Sequence, residues 1–121
     1  MIKSFRTFIL LIVGLSLPNV AFAVNFSCDG LITDVAVYDD GRVLVNYGHG
    51  IHTYCSLSTT TTYLGKSAET CQAWYSTMLT ARAMGKEIRF SFRPSQNPGK
   101  TSCSQLGNWT EVNSYYMNMP N

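Results

Sequence analysis

Four cysteines constrain the fold of this chain more than any other feature of its sequence. They are Cys28, Cys55, Cys71 and Cys103, and all of them follow an apolar N-terminal stretch. In an exported chain an even number of cysteines favours disulfide bonds, whereas cytosolic thiols more often bind metals or do chemistry. Their role therefore depends on the compartment, which the N-terminus predicts.

Residues 1–23 have the three-part organisation of a secretory signal peptide. Lys3 and Arg6 supply the basic region, the run TFILLIVGLSL supplies the apolar region, and the ending AFA forms a cleavage site. The apolar run is shorter than the roughly 20 residues that span a bilayer, which disfavours an uncleaved anchor. We expect cleavage after Ala23, leaving one domain over residues 24–121 that is periplasmic or secreted, without a membrane span.

The charge of the expected mature chain disfavours two classes of partner. The sequence has nine Lys and Arg and seven Asp and Glu, and the leader contains Lys3 and Arg6. Seven residues of each sign are left. Nucleic acids and anionic lipid surfaces attract proteins through a basic excess, which this chain then lacks.

Metal binding is the rival role for the cysteines, and their spacing disfavours it. Structural zinc sites usually take ligand pairs a few residues apart, whereas Cys55 and Cys71 are 16 positions apart. His49 and His52 have ligand-like spacing, but no second close pair accompanies them. We therefore expect disulfides, no metal site and no cofactor. Four cysteines allow three pairings, and the spacing alone does not choose among them.

Short alternating segments predict a meander of three strands. Apolar side chains alternate along residues 31–38, and Gly41 then supplies the positive φ that a tight hairpin turn needs. Residues 42–47 and 51–57 are the next two predicted strands. The polar, β-branched stretch over residues 58–66 favours a loop, with an irregular edge strand as the alternative.

The hydrophobic period changes to that of a helix after Ser67. Ser67 fits the N-cap and Gly85 fits the position just past the last turn. A clean alternation then predicts a strand over residues 86–93, and a less regular strand-like segment follows over residues 108–117. The expected buried face of the helix consists of Cys71, Trp74, Tyr75, Met78 and Leu79.

The predicted element order is β-β-β-α-β-β, which matches the OB-fold. That fold is a five-stranded barrel, here with the helix between the third and fourth strands. In this topology Cys55 leaves the third strand and Cys71 lies in the first turns of the helix. Cys28 and Cys103 precede the first and last strands. We therefore expect a mainly β protein with one helix, and we favour the disulfides Cys55–Cys71 and Cys28–Cys103.

Three stretches of the chain resemble the binding subunits of AB5 toxins, specifically the subtilase cytotoxin and typhoid toxin group. The stretches are FSCDGLITDV (26–35), TYCSL (53–57) and ETCQAWYSTMLTARAMGKEIRFSFRP (69–94). The shared features are an aromatic-Cys strand end, a second Cys near a long helix closed by Gly, and a strand of the form apolar-Arg-aromatic-x-aromatic-basic-Pro. The resemblance implies an OB-fold homopentamer that binds sialylated or other cell-surface glycans and carries a separate toxic A subunit.

The same resemblance implies residues that contact the sugar. Ser27 and Asp29, near the start of the first strand, are the best-matched polar candidates, and Ser56 is a third. Family members have a Tyr in the apolar-Arg strand that helps hold the sugar, and this chain has Ser91 or Phe92 there. These five residues are the candidate glycan site.

Catalysis finds little support in the sequence. No G-x-S-x-G nucleophile elbow is present, and His49 and His52 have no obvious carboxylate partner nearby and are expected at the surface. We expect no enzymatic activity. The alternative to a glycan-binding subunit is a stand-alone secreted or periplasmic module that binds protein, such as an inhibitor. A small structural exoprotein without a ligand is a third interpretation.

Overall fold

The computed structural model describes residues 24–60 and 62–121. The predicted signal peptide and its cleavage after Ala23 lie outside these residues. Within the described ranges, no helix combines the length and apolar composition that crossing a bilayer requires. The elements are β1 Phe26–Leu31, β2 Asp34–Val37, β3 Arg42–Asn46, β4 Ile51–Ser56, α1 Ala68–Met84, β5 Glu87–Phe92, β6 Thr110–Glu111 and β7 Ser114–Asn118, with short 3-10 turns at Pro94–Gln96 and Cys103–Gln105.

The strands form two separate sheets, of order β1-β5-β7 and β2-β3-β4-β6. The prediction of a mainly β protein with one helix is confirmed. The prediction of a closed five-stranded barrel is wrong, because both sheets are open and no ladder between described residues joins them into one. The order β-β-β-α-β-β is wrong as well, since a fourth strand precedes the helix and three strands follow it.

The predicted strand over residues 31–38 is divided between the two sheets. β1 ends at Leu31 and pairs with β5, whereas β2 begins at Asp34 and pairs with β3. Between them, Ile32 buries its side chain in the core, and the Thr33 amide donates a 2.9 Å hydrogen bond to the carbonyl of Asn46. The chain therefore changes sheets without a turn residue, so its hydrophobic pattern does not reveal the break.

The last predicted segment is divided in the same way. β6 pairs with β4 in parallel, and β7 pairs with β5 antiparallel. Val112 lies between these two strands and is 1% exposed. As at Ile32, a buried residue lies where the chain passes from one sheet to the other.

The local predictions around the helix are largely confirmed. The Ser67 hydroxyl accepts a hydrogen bond from a backbone N–H of the first turn of α1, and Gly85 has a left-handed φ of 61° just past its end. Gly41 has φ 91° in the β2–β3 hairpin, as expected. Leu79 was expected on the buried face of the helix, but it is 42% exposed, whereas Ala81 is buried in its place.

Both favoured disulfides are confirmed. Cys28 is bonded to Cys103 and Cys55 to Cys71, and no cysteine of the described residues is free. The first bond joins β1 to the second 3-10 turn, and the other joins β4 to α1. Two disulfides fit an exported protein in an oxidising compartment.

A buried chain of hydrogen bonds links His52, Tyr54 and Tyr47. The Gly107 carbonyl can only accept, so His52 Nε2 donates to it at 3.1 Å and Nδ1 accepts from the Tyr54 hydroxyl at 2.9 Å. Tyr54 then accepts from the Tyr47 hydroxyl at 2.7 Å. The expectation of a surface His52 is wrong, since it is 1% exposed. Burial lowers the pKa of His52 and raises the pKa of both tyrosines, which keeps the chain uncharged.

Candidate functional site

The outward face of the β1-β5-β7 sheet carries two rows of polar side chains. Strand register places three residues side by side in each row, and the residues that alternate with them point into the core. We call this set of six residues the polar face. The rows are Ser27, Ser91 and Tyr116, and then Asp29, Arg89 and Asn118.

A pair of hydroxyls lies at the centre of the first row. Ser27 Oγ and Ser91 Oγ are 2.8 Å apart, and either hydroxyl can donate to the other. Ser27 is exposed, whereas Ser91 is 6% exposed. Because only one hydroxyl hydrogen is used between them, the pair retains a donor and several lone pairs for a ligand.

A two-pronged ion pair forms the second row. Arg89 donates from Nε to Asp29 Oδ1 and from Nη2 to Oδ2, each at 2.7 Å. The hydrogen bond from Arg89 lowers the pKa of Asp29, and the same contact raises the pKa of Arg89. An arginine has five N–H donors, and this pair uses two of them. His49 Nε2 lies 2.7 Å from the Asp29 carbonyl, which fixes it as a donor there.

An exposed aromatic ring and a buried amide oxygen complete the polar face. Tyr116 is 52% exposed beside Ser91. Asn118 Oδ1 is buried and has no hydrogen-bond partner among the described residues. A shallow surface of hydroxyls, charged groups and an aromatic face can bind a polar ring through its hydroxyls and its apolar side.

The structure brings three of the five predicted site residues together. Ser27, Asp29 and Ser91 all belong to the polar face. Ser56 lies at the end of β4 in the other sheet, where it is 5% exposed and accepts a hydrogen bond from a neighbouring backbone N–H at 3.2 Å. Phe92 alternates with Ser91 along β5, so its ring is buried in the core. Neither Ser56 nor Phe92 lies on the surface that the other three share.

Sequence reasoning missed Arg89, Tyr116 and Asn118. The alternation of β5 contains a signal for Arg89, because a residue two positions from Ser91 must share its face. No comparable signal exists for Tyr116. Its pairing with Ser91 is followed by an irregularity in the ladder between Ser91 and Phe92. The register of β7 against β5 sets the face on which Tyr116 and Asn118 lie, and a local pattern does not show that register.

The two histidines of HGIH do not converge on a common point. Both ring nitrogens of His52 are used in the buried chain, and His49 contacts the Asp29 backbone. In residues 24–60 and 62–121, no group of three His, Cys, Asp or Glu side chains could hold a metal ion.

Comparison with known proteins finds no matching family model, no matching curated protein and no matching solved structure. The likeness to AB5 binding subunits therefore depends on the quoted stretches of sequence alone.

Proposed function

We propose that this protein is an exported module of the AB5 toxin B-subunit type, which binds a cell-surface glycan on its polar face. The observation that carries this proposal is the position of Ser27, Asp29 and Ser91. The resemblance selects these residues from the sequence as sugar contacts. The register of β1 against β5 gives them one surface, although they come from segments about 60 residues apart along the chain.

The chemistry of the polar face suits a carbohydrate. The Ser27–Ser91 hydroxyl pair offers a donor and acceptors for sugar hydroxyls. Arg89 is held in place by Asp29, so its remaining N–H groups are oriented before a ligand arrives. Tyr116 supplies an exposed ring for the apolar side of a pyranose.

Oligomerisation strengthens binding of this kind. A shallow face buries little of its ligand, so one copy binds weakly, but linked copies gain avidity of about 10² to 10⁴. We propose the homopentamer that the resemblance implies, with a separate A subunit as its cargo. A gene for an exported toxic enzyme beside this one supports the A subunit, and its absence counts against it.

A second candidate function is that of a stand-alone secreted module that binds protein. The observation that favours it is an open, mainly apolar groove of about 250 Å³ on the other sheet. The groove includes Tyr38 and Val37, and its Trp109 side chain is 67% exposed. Exposed aromatic groups of this kind are enriched at protein interfaces.

A glycan array tests the first proposal. The mature protein, purified with both disulfides intact, is expected to bind at least one glycan class and to have a solution mass of five chains. Loss of binding in Ser27→Ala, with retention in the exposed helix variant Ser76→Ala, supports the polar face. An array without any bound glycan overturns the proposal, and a monomer at micromolar concentration overturns the pentamer.

A further inference from the structure

A cleft of about 310 Å³ lies between the start of α1 and the segment that leads into β7. Its wall includes Lys66 and Thr70 on the helix side, and Asn113 and Tyr115 on the β7 side. The ring of Trp74, one turn further along α1, also lines it. The cleft shares no residue with the polar face.

Lys66 is the unusual residue of this cleft, because it is a buried cation with neutral partners. It is 7% exposed, and its Nζ donates to the Leu64 carbonyl and to Asn113 Oδ1 at 3.3 Å each. Nζ also lies 5.0 Å from the centre of the Trp74 ring. Among the described residues, no carboxylate is within 4.0 Å of it.

These contacts leave the ammonium only partly compensated. An ammonium has three N–H donors, and both of its hydrogen bonds are at the long end of the usual range. Burying a charge without a counter-charge is costly, and here burial lowers the pKa of Lys66 to about 8. An anion that entered the cleft would supply the missing charge and accept the remaining donor.

We propose that this cleft binds a carboxylate group, with Lys66 Nζ as its ion-pair donor. One carboxylate balances one ammonium, whereas a dianion would leave an unbalanced negative charge in a partly enclosed space. Thr70 and Gln96 lie on the wall as neutral partners for the second oxygen. The Trp74 and Tyr115 rings offer faces for a ring that carries the acid.

Titration with small acids tests this proposal on the disulfide-bonded mature protein. The probes are glucuronate, acetate, sulfate and neutral glucose at constant ionic strength, and the readouts are the NMR signals of Lys66 Cε and of the Trp74 indole N–H. Glucuronate and acetate are expected to shift both signals saturably, while glucose leaves them unchanged. Tighter binding of glucuronate identifies a sugar acid as the ligand, and equal binding identifies the carboxylate alone. Absence of saturable shifts, or tighter binding of sulfate, overturns the proposal.

Two further comparisons locate the ligand. Lys66→Met is expected to weaken glucuronate binding at least tenfold, whereas Lys86→Met, at an exposed lysine, retains it. If Lys66→Met does not fold, the pKa of Lys66 in the unsubstituted protein still tests the proposal, because bound glucuronate must raise that pKa. A pKa that does not move contradicts the proposal. Ser27→Ala is expected to leave glucuronate binding intact, so the proposal for the cleft and the proposal for the polar face are tested separately.

Discussion

Asp29 and Arg89 face each other across β1 and β5 and form a two-pronged ion pair, with both carboxylate oxygens 2.7 Å from a guanidinium nitrogen. The pair is half-exposed, so its contribution to the free energy of unfolding is reduced by solvent screening. Its more direct consequence is geometric, because it fixes two charged groups beside the hydroxyls of Ser27 and Ser91.

Replacement of Arg89 by Met is expected to raise the pKa of Asp29 towards its ordinary value of 3.8, because the hydrogen bond from Arg89 is the largest cause of the lowering. Carbon-13 NMR titration of the Asp29 carboxyl measures this pKa. Arg93→Met, at an exposed arginine beyond the end of β5, is the matched control and leaves it unchanged. An Asp29 pKa that is the same in Arg89→Met and in the unsubstituted protein contradicts the ion pair.

The same pair has a defined effect on acid stability. A carboxylate with a lowered pKa in the folded state stabilises the protein above its unfolded pKa, and this stabilisation is lost as the pH falls through the folded value. Between about pH 5 and pH 2, the free energy of unfolding is therefore expected to decrease less in Arg89→Met than in the unsubstituted protein. Urea unfolding curves across this range give the comparison.

Protonation of His52 is expected to destabilise the fold. Burial lowers its pKa below 6.5, so the unfolded chain binds the proton more readily than the folded one. Stability from the neutral ring is complete above the unfolded pKa and decreases as the pH falls from about 6.5 towards the folded value. Urea unfolding at about pH 7.5 and pH 5.5 measures the change. His52→Gln, which has no titrating ring, is expected to reduce this pH dependence. If the free energy of unfolding changes equally with pH in the variant and in the unsubstituted protein, His52 is not the source of the dependence.

The two disulfides are expected to contribute unequally to stability. In the loop-entropy model, the Cys55–Cys71 bond, with a separation of 16 residues, is worth about 3 kcal/mol. The Cys28–Cys103 bond, with a separation of 75 residues, is worth about 4.5 kcal/mol. Double Cys→Ala variants of each pair, compared by urea unfolding, test this order. A larger loss for the shorter loop means that burial at Cys55 and Cys71 outweighs chain entropy.

Gly30 lies where β1 passes against the backbone of Tyr47. A Cβ at this position would meet the Tyr47 carbonyl oxygen far inside van der Waals contact. Because a backbone atom cannot move aside as a flexible side chain can, Gly30→Ala is expected to cost at least about 2 kcal/mol. Leu31→Ala, at the exposed neighbour on the same strand, serves as the control and costs less. Equal losses in the two variants contradict the close approach.

Sequence reasoning predicted the features that depend on neighbouring residues. Ser67 and Gly85 mark the ends of α1 because capping is a local backbone property. The alternation of buried and outward-facing residues that includes Ile88 and Phe90 identified β5, because this pattern is also a local property. The sheet to which a strand belongs depends on distant partners, so the change of sheets at Ile32 was not predictable and the barrel topology was wrong.

The candidate site was predictable only in part for a related reason. Ser27 and Asp29 came from a resemblance, and Arg89 follows from the alternation of β5 once Ser91 is chosen. Tyr116 belongs to the polar face because of the register of β7 against β5, which a local pattern does not show. The burial of Lys66 is also unpredictable, since lysine is almost always exposed and the chain around it is a polar loop.

The affinity of Ser27→Ala for the glycan that the unsubstituted protein binds best tests the central claim most directly. Ser27 is exposed and its hydroxyl contacts only Ser91 Oγ among the described residues, so its loss is expected to disturb the polar face while preserving the fold. We predict at least a tenfold weaker interaction than for Ser76→Ala, measured by calorimetry. Equal affinities for the two variants would place the glycan elsewhere and contradict the account.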